Sequence, residues 1–388
     1  MPDMDCEYSD WPRKQIGPCA AADGARPNYA LQRTRALGRR EEHQSVFLRN
    51  AQPLVIVALL IGIVTGSMSL SSATMVSRAA RQGRFALSYG VVHGWPVLSE
   101  GYALDIVTGV GVDSHGNVFV FHRAGRKWPS TGPLDTTPIS RPPVVLFDGQ
   151  TGAVLAQWGA DRFAMPHGLA VDQRDNVWLT DVALHQVYQF THNGQLLLTL
   201  GTRGVPGNDS AHFNKPTDVA IAADGSIYVS DGYENSRIVQ FAADGRFVRQ
   251  WGRKGGQPGE FDLPHGITLD GAGRVFVADR ANARVQVFDR RGRFLFQWKG
   301  AEYGRPFDVA IANGGRAFIA DGGDIPDDEP DRSSVVVVDR DGRVLERFGR
   351  YGFYDGQFFR AHDIAVGLDD AVYVGDASGR VQKFVRTP

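Results

Sequence analysis

LPHGITLDGAGRVFVADRANARVQVF, residues Leu263–Phe288, reads as three short strands separated by two turns. An apolar run reaches Leu269, Gly271 and Gly273 supply a turn, a second apolar run ends in Asp279, and a third begins at Arg284. Beyond the next glycine, RFLFQWKG (Arg293–Gly300) adds a fourth run. The template recurs at Met165–Phe190 (MPHGLAVDQRDNVWLTDVALHQVYQF), Lys215–Phe241 (KPTDVAIAADGSIYVSDGYENSRIVQF) and Arg305–Asp321 (RPFDVAIANGGRAFIAD). Weaker copies start at Thr108 (TGVGVDSHGNVFVFHR) and Ala361 (AHDIAVGLDDAVYVGDASGRVQKF). Four strands per unit, at a period of about 40–50 residues, specify propeller blades and not a helical solenoid.

Six copies predict an all-β, six-bladed propeller over 83–388. The last copy ends without a fourth strand, whereas Arg84–Val92 alternates like a strand and has no blade of its own. That N-terminal strand is expected to close the ring and remove its free edges. Inserts at Ala124–Pro143 and Gly322–Ser333 are candidate rim loops, the second carrying Asp324, Asp327, Asp328, Glu329 and Asp331.

Composition agrees: 46 Gly and 20 Pro among 388 residues are many turns, and 43% hydrophobic residues suffice for a core. A net charge of −1 without a long basic run excludes a nucleic-acid footprint. Cys6 and Cys19 both precede the repeats, so the body has no disulfide. The uncharged segment Pro53–Leu70 follows Arg33, Arg35, Arg39, Arg40 and Arg49 and leads into Ser71, Ser72 and Ala73. It reads as one hydrophobic helix, either a cleaved signal peptide or a transmembrane anchor. The expected organisation is a leader at 1–50, the export segment at 51–75, and an exported periplasmic or extracellular propeller. The chain is expected to be a monomer that meets membrane only through that segment.

The first strand of each propeller blade lines the axis, so one repeat position forms a ring. In order, that position holds Thr108, His167, Thr217, His265, Phe307 and His362. Imidazoles on alternate blades converge with threefold symmetry, as a three-histidine zinc site with an open fourth position requires. Taken singly, each is equally an inherited turn residue that satisfies backbone groups. A second ring follows the Asp that ends the second run: Arg123, Val182, Gly232, Arg280, Gly322 and Ala377, with Tyr233 one further. Two guanidiniums and a phenol suit a carboxylate substrate and a proton transfer, although Arg280 could instead pair with Asp279 or a neighbouring blade. Asp181, Asp231, Asp279, Asp321 and Asp376, with Arg237 and Arg284, recur in nearly every blade. Repetition makes them structural, since a unique site is not built in every copy.

Several strings are more specific than the repeat: FHR at Phe121–Arg123, PHGLAVD at Pro166–Asp172, TDVALHQVYQF at Thr180–Phe190, FNKPTDVA at Phe213–Ala220, SDGYENSRIVQF at Ser230–Phe241 and VADRANARVQVF at Val277–Phe288. Together they resemble the peptidyl-α-hydroxyglycine α-amidating lyase family, a propeller of NHL repeats that forms the lyase half of peptidylglycine α-amidating monooxygenase. The resemblance implies cleavage of a C-terminal α-hydroxyglycine into an amide and glyoxylate, in a substrate that is a peptide or small molecule with a terminal carboxylate. It implies zinc on His167, His265 and His362, catalytic Tyr233 with Arg123 and Arg280, and structural calcium on Asp363 with the carbonyls of Val110 and Leu169. Two positions depart from the family: its methionine two residues before the last histidine is Arg360, and the cysteine that follows the tyrosine in animal members is Glu234. No copper monooxygenase domain is present in this sequence.

Two other readings stay open. A non-enzymatic propeller presenting its rim to a peptide or protein needs no tyrosine and arginines around a histidine ring. A metal-dependent propeller hydrolase is expected to carry carboxylate and Asn ligands at the axis.

Overall fold

The computed structural model describes residues 89–323 and 332–387. They form six four-stranded antiparallel sheets. Blade I comprises Val107–Val112, Val118–His122, Val144–Phe147 and Val154–Trp158. Blade II comprises Pro166–Val171, Val177–Asp181, Gln186–Phe190 and Leu196–Leu200, and blade III Asp218–Ile221, Ile227–Asp231, Arg237–Phe241 and Phe247–Trp251. Blade IV comprises Pro264–Leu269, Val275–Asp279, Arg284–Phe288 and Phe294–Lys299, and blade V Pro306–Ile311, Ala317–Asp321, Ser334–Val338 and Val344–Phe348. Blade VI takes Ala361–Val366, Val372–Asp376 and Arg380–Arg386 from the C-terminus and Tyr89–Val91 from the N-terminal side. Tyr89 lies opposite Arg386 and Val91 opposite Phe384, so the ring closes as expected. The inner strand of each blade packs on that of the next, and blade VI returns to blade I.

The core is distributed. Six buried clusters lie one at each blade interface; between blades I and II, for example, Phe121 and Phe163 meet edge to face at 5.0 Å, with Leu179 and Phe190 beside them. Removing each such side chain from water contributes roughly 1.5–3 kcal/mol. Second strands are buried throughout, as in Val275–Asp279, whereas the outer Phe247–Trp251 alternates between half-buried and exposed. A period of two with one wet face marks the blade's outer edge.

The blade turns use the repeated aspartates. Asp181 accepts the N–H groups of Ala164, Met165, Ala183 and Leu184, and Asp376 those of Phe359, Arg360 and Ser378. Asp231 and Asp279 pair with Arg237 and Arg284 at 2.9 and 2.7 Å. Each carboxylate thus ties two loops to a strand end.

One expectation is corrected. No helix among the described residues is long and apolar enough to cross a membrane, which takes about 20 apolar residues in succession; the described helices are three-residue turns at Arg280–Asn282 and Ala301–Tyr303. The transmembrane reading is therefore withdrawn. The leader, the hydrophobic segment Pro53–Leu70 expected to be helical and the acidic cluster of the second insert lie outside the described residues.

Candidate metal centre and active site

Strand register turns the ring residues inward. In five blades the pairing of first and second strands slips at the ring position: between Val107 and Gly109, Pro166 and Leu169, Pro264 and Ile267, Pro306 and Asp308, and Ala361 and Asp363. Such a bulge leaves a residue unpaired and re-aims its side chain. Close blade approach follows: a Cβ at Gly168 would lie 2.4 Å from Asp218 Oδ1, and one at Gly266 2.1 Å from Asp308 Oδ1. Glycine after His167 and His265 is thereby required.

His167, His265 and His362 converge, with one ligand nitrogen from each within 4.8 Å of the others. Their rings form a nearly equilateral triangle, with centroids 4.8, 5.0 and 4.9 Å apart. Each Nδ1 faces the carbonyl of the next ring residue: His167 to Thr217 at 2.7 Å, His265 to Phe307 at 2.8 Å and His362 to Thr108 at 3.2 Å. A carbonyl only accepts, so every Nδ1 carries the proton and every Nε2 keeps a bare lone pair. Burial, then the Arg123 charge, holds His167 down to about 3. For His265 and His362, burial and then the other imidazoles keep the pKa far below the ordinary value. All three are neutral at pH 7. His265 Nε2 is buried with no partner among the described residues. Three neutral imidazoles with oriented, proton-free nitrogens are the donor set that a divalent metal needs.

Tyr233 donates its hydroxyl to His167 Nε2 at 2.9 Å, and its ring lies 6.0 Å from that of His265. Arg123 and Arg280 are 1% and 5% exposed. Both lie close enough for their charges to depress His167 and His362. Arg280 does not pair with Asp279, because the Asp279 oxygens are taken by Arg284, Asn282, Gln286 and the Asp262 N–H. Nε and Nη1 of Arg123 and Nη1 of Arg280 have no hydrogen-bond partner among the described residues. Arg360 is buried with its guanidinium carbon 5.8 Å from the Phe307 ring.

A carboxylate layer adjoins the histidines. Asp363 Oδ1 accepts the Val110 N–H at 2.9 Å, and a Cβ on neighbouring Gly109 would meet Leu169 Cβ at 2.6 Å. Asp218 and Asp308 join Asp363, taking the N–H groups of Ile267 and Ile364. Burial and then mutual repulsion push Asp218 and Asp363 far up, while burial raises Asp308 to about 7. Sequence reasoning missed Asp218 and Asp308. The signal was present in the position after the ring, which runs Gly109, Gly168, Asp218, Gly266, Asp308, Asp363.

Fold and site define an NHL-type propeller with an axial three-histidine cluster that could hold a metal. The NHL repeat model matches residues 213–241 and 261–288. A 34% identical relative, peptidyl-alpha-hydroxyglycine alpha-amidating lyase 2 of Drosophila melanogaster, aligns over 76% of this chain and 75% of its own length. Peptidyl-glycine alpha-amidating monooxygenase B of Xenopus laevis is 37% identical over 72% of this chain, which spans only 34% of that protein. A gluconolactonase structure from Xanthomonas campestris shares the fold at 16% identity, with a TM-score of 0.52 over 79% of this chain and 99% of its own. The chain belongs to the peptidyl-α-hydroxyglycine α-amidating lyase family.

Proposed function

We propose that this protein is an exported, zinc-dependent lyase that cleaves a peptidyl-α-hydroxyglycine-like carbinolamide into an amide and glyoxylate. One observation carries the reading: three proton-free Nε2 atoms converge beside a hydrogen-bonding tyrosine and two buried arginines with unused N–H groups. Zinc held by His167, His265 and His362 supplies Lewis acidity to the oxygens of the substrate. Arg123 and Arg280 clamp the substrate carboxylate, whose negative charge meets donors that lack protein partners. Tyr233, once ionised to the phenolate, takes the hydroxyl proton as the carbonyl of glyoxylate forms. The C–N bond breaks with its electron pair going to nitrogen, which gains a proton and leaves as the amide. Burial around the site excludes bulk water and strengthens each of these contacts.

Calcium is proposed at Asp363 with the carbonyls of Val110 and Leu169; divalent charge there relieves the repulsion among the three carboxylates. A leader at 1–50 and an export segment at 51–75 ahead of a propeller at 83–388, working as a monomer, complete the proposal. The axial carboxylates support one second reading, a calcium-dependent hydrolase.

Elemental analysis of the purified propeller, together with glyoxylate release from N-benzoyl-α-hydroxyglycine, tests the assignment. About one zinc per chain is expected, with turnover that falls roughly 10²- to 10⁴-fold in Tyr233→Phe at unchanged zinc content. Zinc without glyoxylate release moves the assignment to hydrolysis, and absence of zinc overturns the three-histidine site.

A further inference from the structure

Two cations of the site are supported by aromatic faces. The Arg280 guanidinium carbon lies 3.9 Å from the centroid of Phe307, and that of Arg123 lies 5.3 Å from the Trp128 ring. Phe307 is the one ring residue on the axis that is neither His nor Thr. Its side chain is 2% exposed and stands 5.3 Å from His265 and 5.9 Å from His362, ring to ring. There is no slack beneath it, because a Cβ at Gly322 would come within 2.2 Å of the phenyl ring. Trp128 comes from the insert between the second and third strands of blade I, and its ring is also 4.9 Å from that of Tyr233. Both aromatics therefore touch residues of the proposed chemistry without occupying a metal-ligand position.

We infer that Phe307 and Trp128 are positioning residues, each carrying a site guanidinium on its ring face so that the N–H edges stay available to the substrate carboxylate. A carboxylate partner would fix an arginine equally well, but would consume its donors and cancel its charge. An aromatic face attracts the cation through the ring quadrupole and takes no N–H group. That is the condition in which a buried arginine binds an incoming carboxylate most strongly. The blades offer the opposite solution a few residues away, where the Arg284 guanidinium is fully engaged with Asp279 and loop carbonyls. The inference rests on the lyase reading for the identity of the carboxylate.

The test compares wild type, Phe307→Leu, Trp128→Leu and the conservative Trp128→Phe, with zinc content and thermal melting recorded for each. For N-benzoyl-α-hydroxyglycine, KM is expected to rise roughly 3- to 30-fold in the leucine variants with kcat changed by less than about threefold, and Trp128→Phe is expected to recover most of the loss. Binding of N-benzoylglycine, which keeps the carboxylate and lacks the hydroxyl, should weaken by the same factor. Binding of its uncharged amide should not change. Leucine variants that fold, load zinc and match wild type in KM and N-benzoylglycine affinity overturn the inference. Should Phe307→Leu not fold, Trp128→Leu decides, since its insert lies outside the blade sheets. Wild type that releases no glyoxylate defeats the lyase reading instead, and the inference is then judged on N-benzoylglycine binding alone.

Discussion

Arg284 and Arg280 lie four residues apart in blade IV, both buried, and meet opposite surroundings. Arg284 uses all five of its N–H donors, on Asp279, Gln297 and the carbonyls of Gly256, Gln257 and Glu260. Arg280, like Arg123 across the channel mouth, lies over an aromatic ring with donor capacity unspent. The first arrangement recurs around the propeller, with Arg237 on Asp231 and Arg380 on Asp376, and stabilises loops. The second occurs next to the histidine triangle. An unmet donor in a buried place costs free energy, so its retention beside the histidine triangle points to a ligand that completes it.

Exchanging the two arginines' fates gives the sharpest test. Arg284→Ala strands the Asp279 carboxylate and is expected to lower stability by about 3–5 kcal/mol in urea unfolding. Arg280→Met is expected to leave stability within about 1 kcal/mol of wild type while turnover drops roughly 10²- to 10³-fold. If both variants destabilise alike, the distinction between the two regions is wrong.

His122, which precedes Arg123, gives a smaller, pH-dependent effect. Its Nδ1 accepts the N–H groups of Asp105 and Ala124, and burial lowers its pKa from 6.5 to about 4. Below pH 6.5 the unfolded chain binds the proton more readily than the fold does, so stability is complete above that pH and declines toward pH 4. The difference amounts to at most ~3 kcal/mol. His122→Asn preserves an acceptor without the titration. Denaturation measured at several pH values should show a shallower acid decline in this variant, and an unchanged slope rejects the assignment. The smallest effect is expected at Glu234, whose 2.7 Å pair with Lys215 is open to solvent. Glu234→Gln should change stability by less than about 1 kcal/mol and leave turnover within about twofold of wild type, although it adjoins Tyr233. A larger drop in turnover at unchanged stability would mean that Glu234 belongs with the site.

Propeller repetition makes much of this legible in the sequence. A position that recurs once per blade lies at one height on the axis, so His167, His265 and His362 could be grouped from spacing alone. The closing strand was equally readable, because Ala361–Phe384 left a blade short and an alternating segment stood unpaired upstream. The same ring logic covers Asp218 and Asp308, one residue further on. Trp128 was not readable in this way: it sits in an insert without repeat register, and only the loop's path brings it to Tyr233 and Arg123.

The sequence by itself determined the blade count, the strand order within a blade and the alternation of histidine around the axis, because these follow from local period and repetition. Tertiary structure decided the protonated nitrogen on each ring, the partner of Asp279 and the unspent donors of Arg123 and Arg280. Each depends on carbonyls, carboxylates and aromatic faces brought together from distant segments, as when Thr108 meets His362 across 254 residues of chain. Local pattern fixes which residue stands on the axis, and packing between blades fixes what its polar atoms have left to offer.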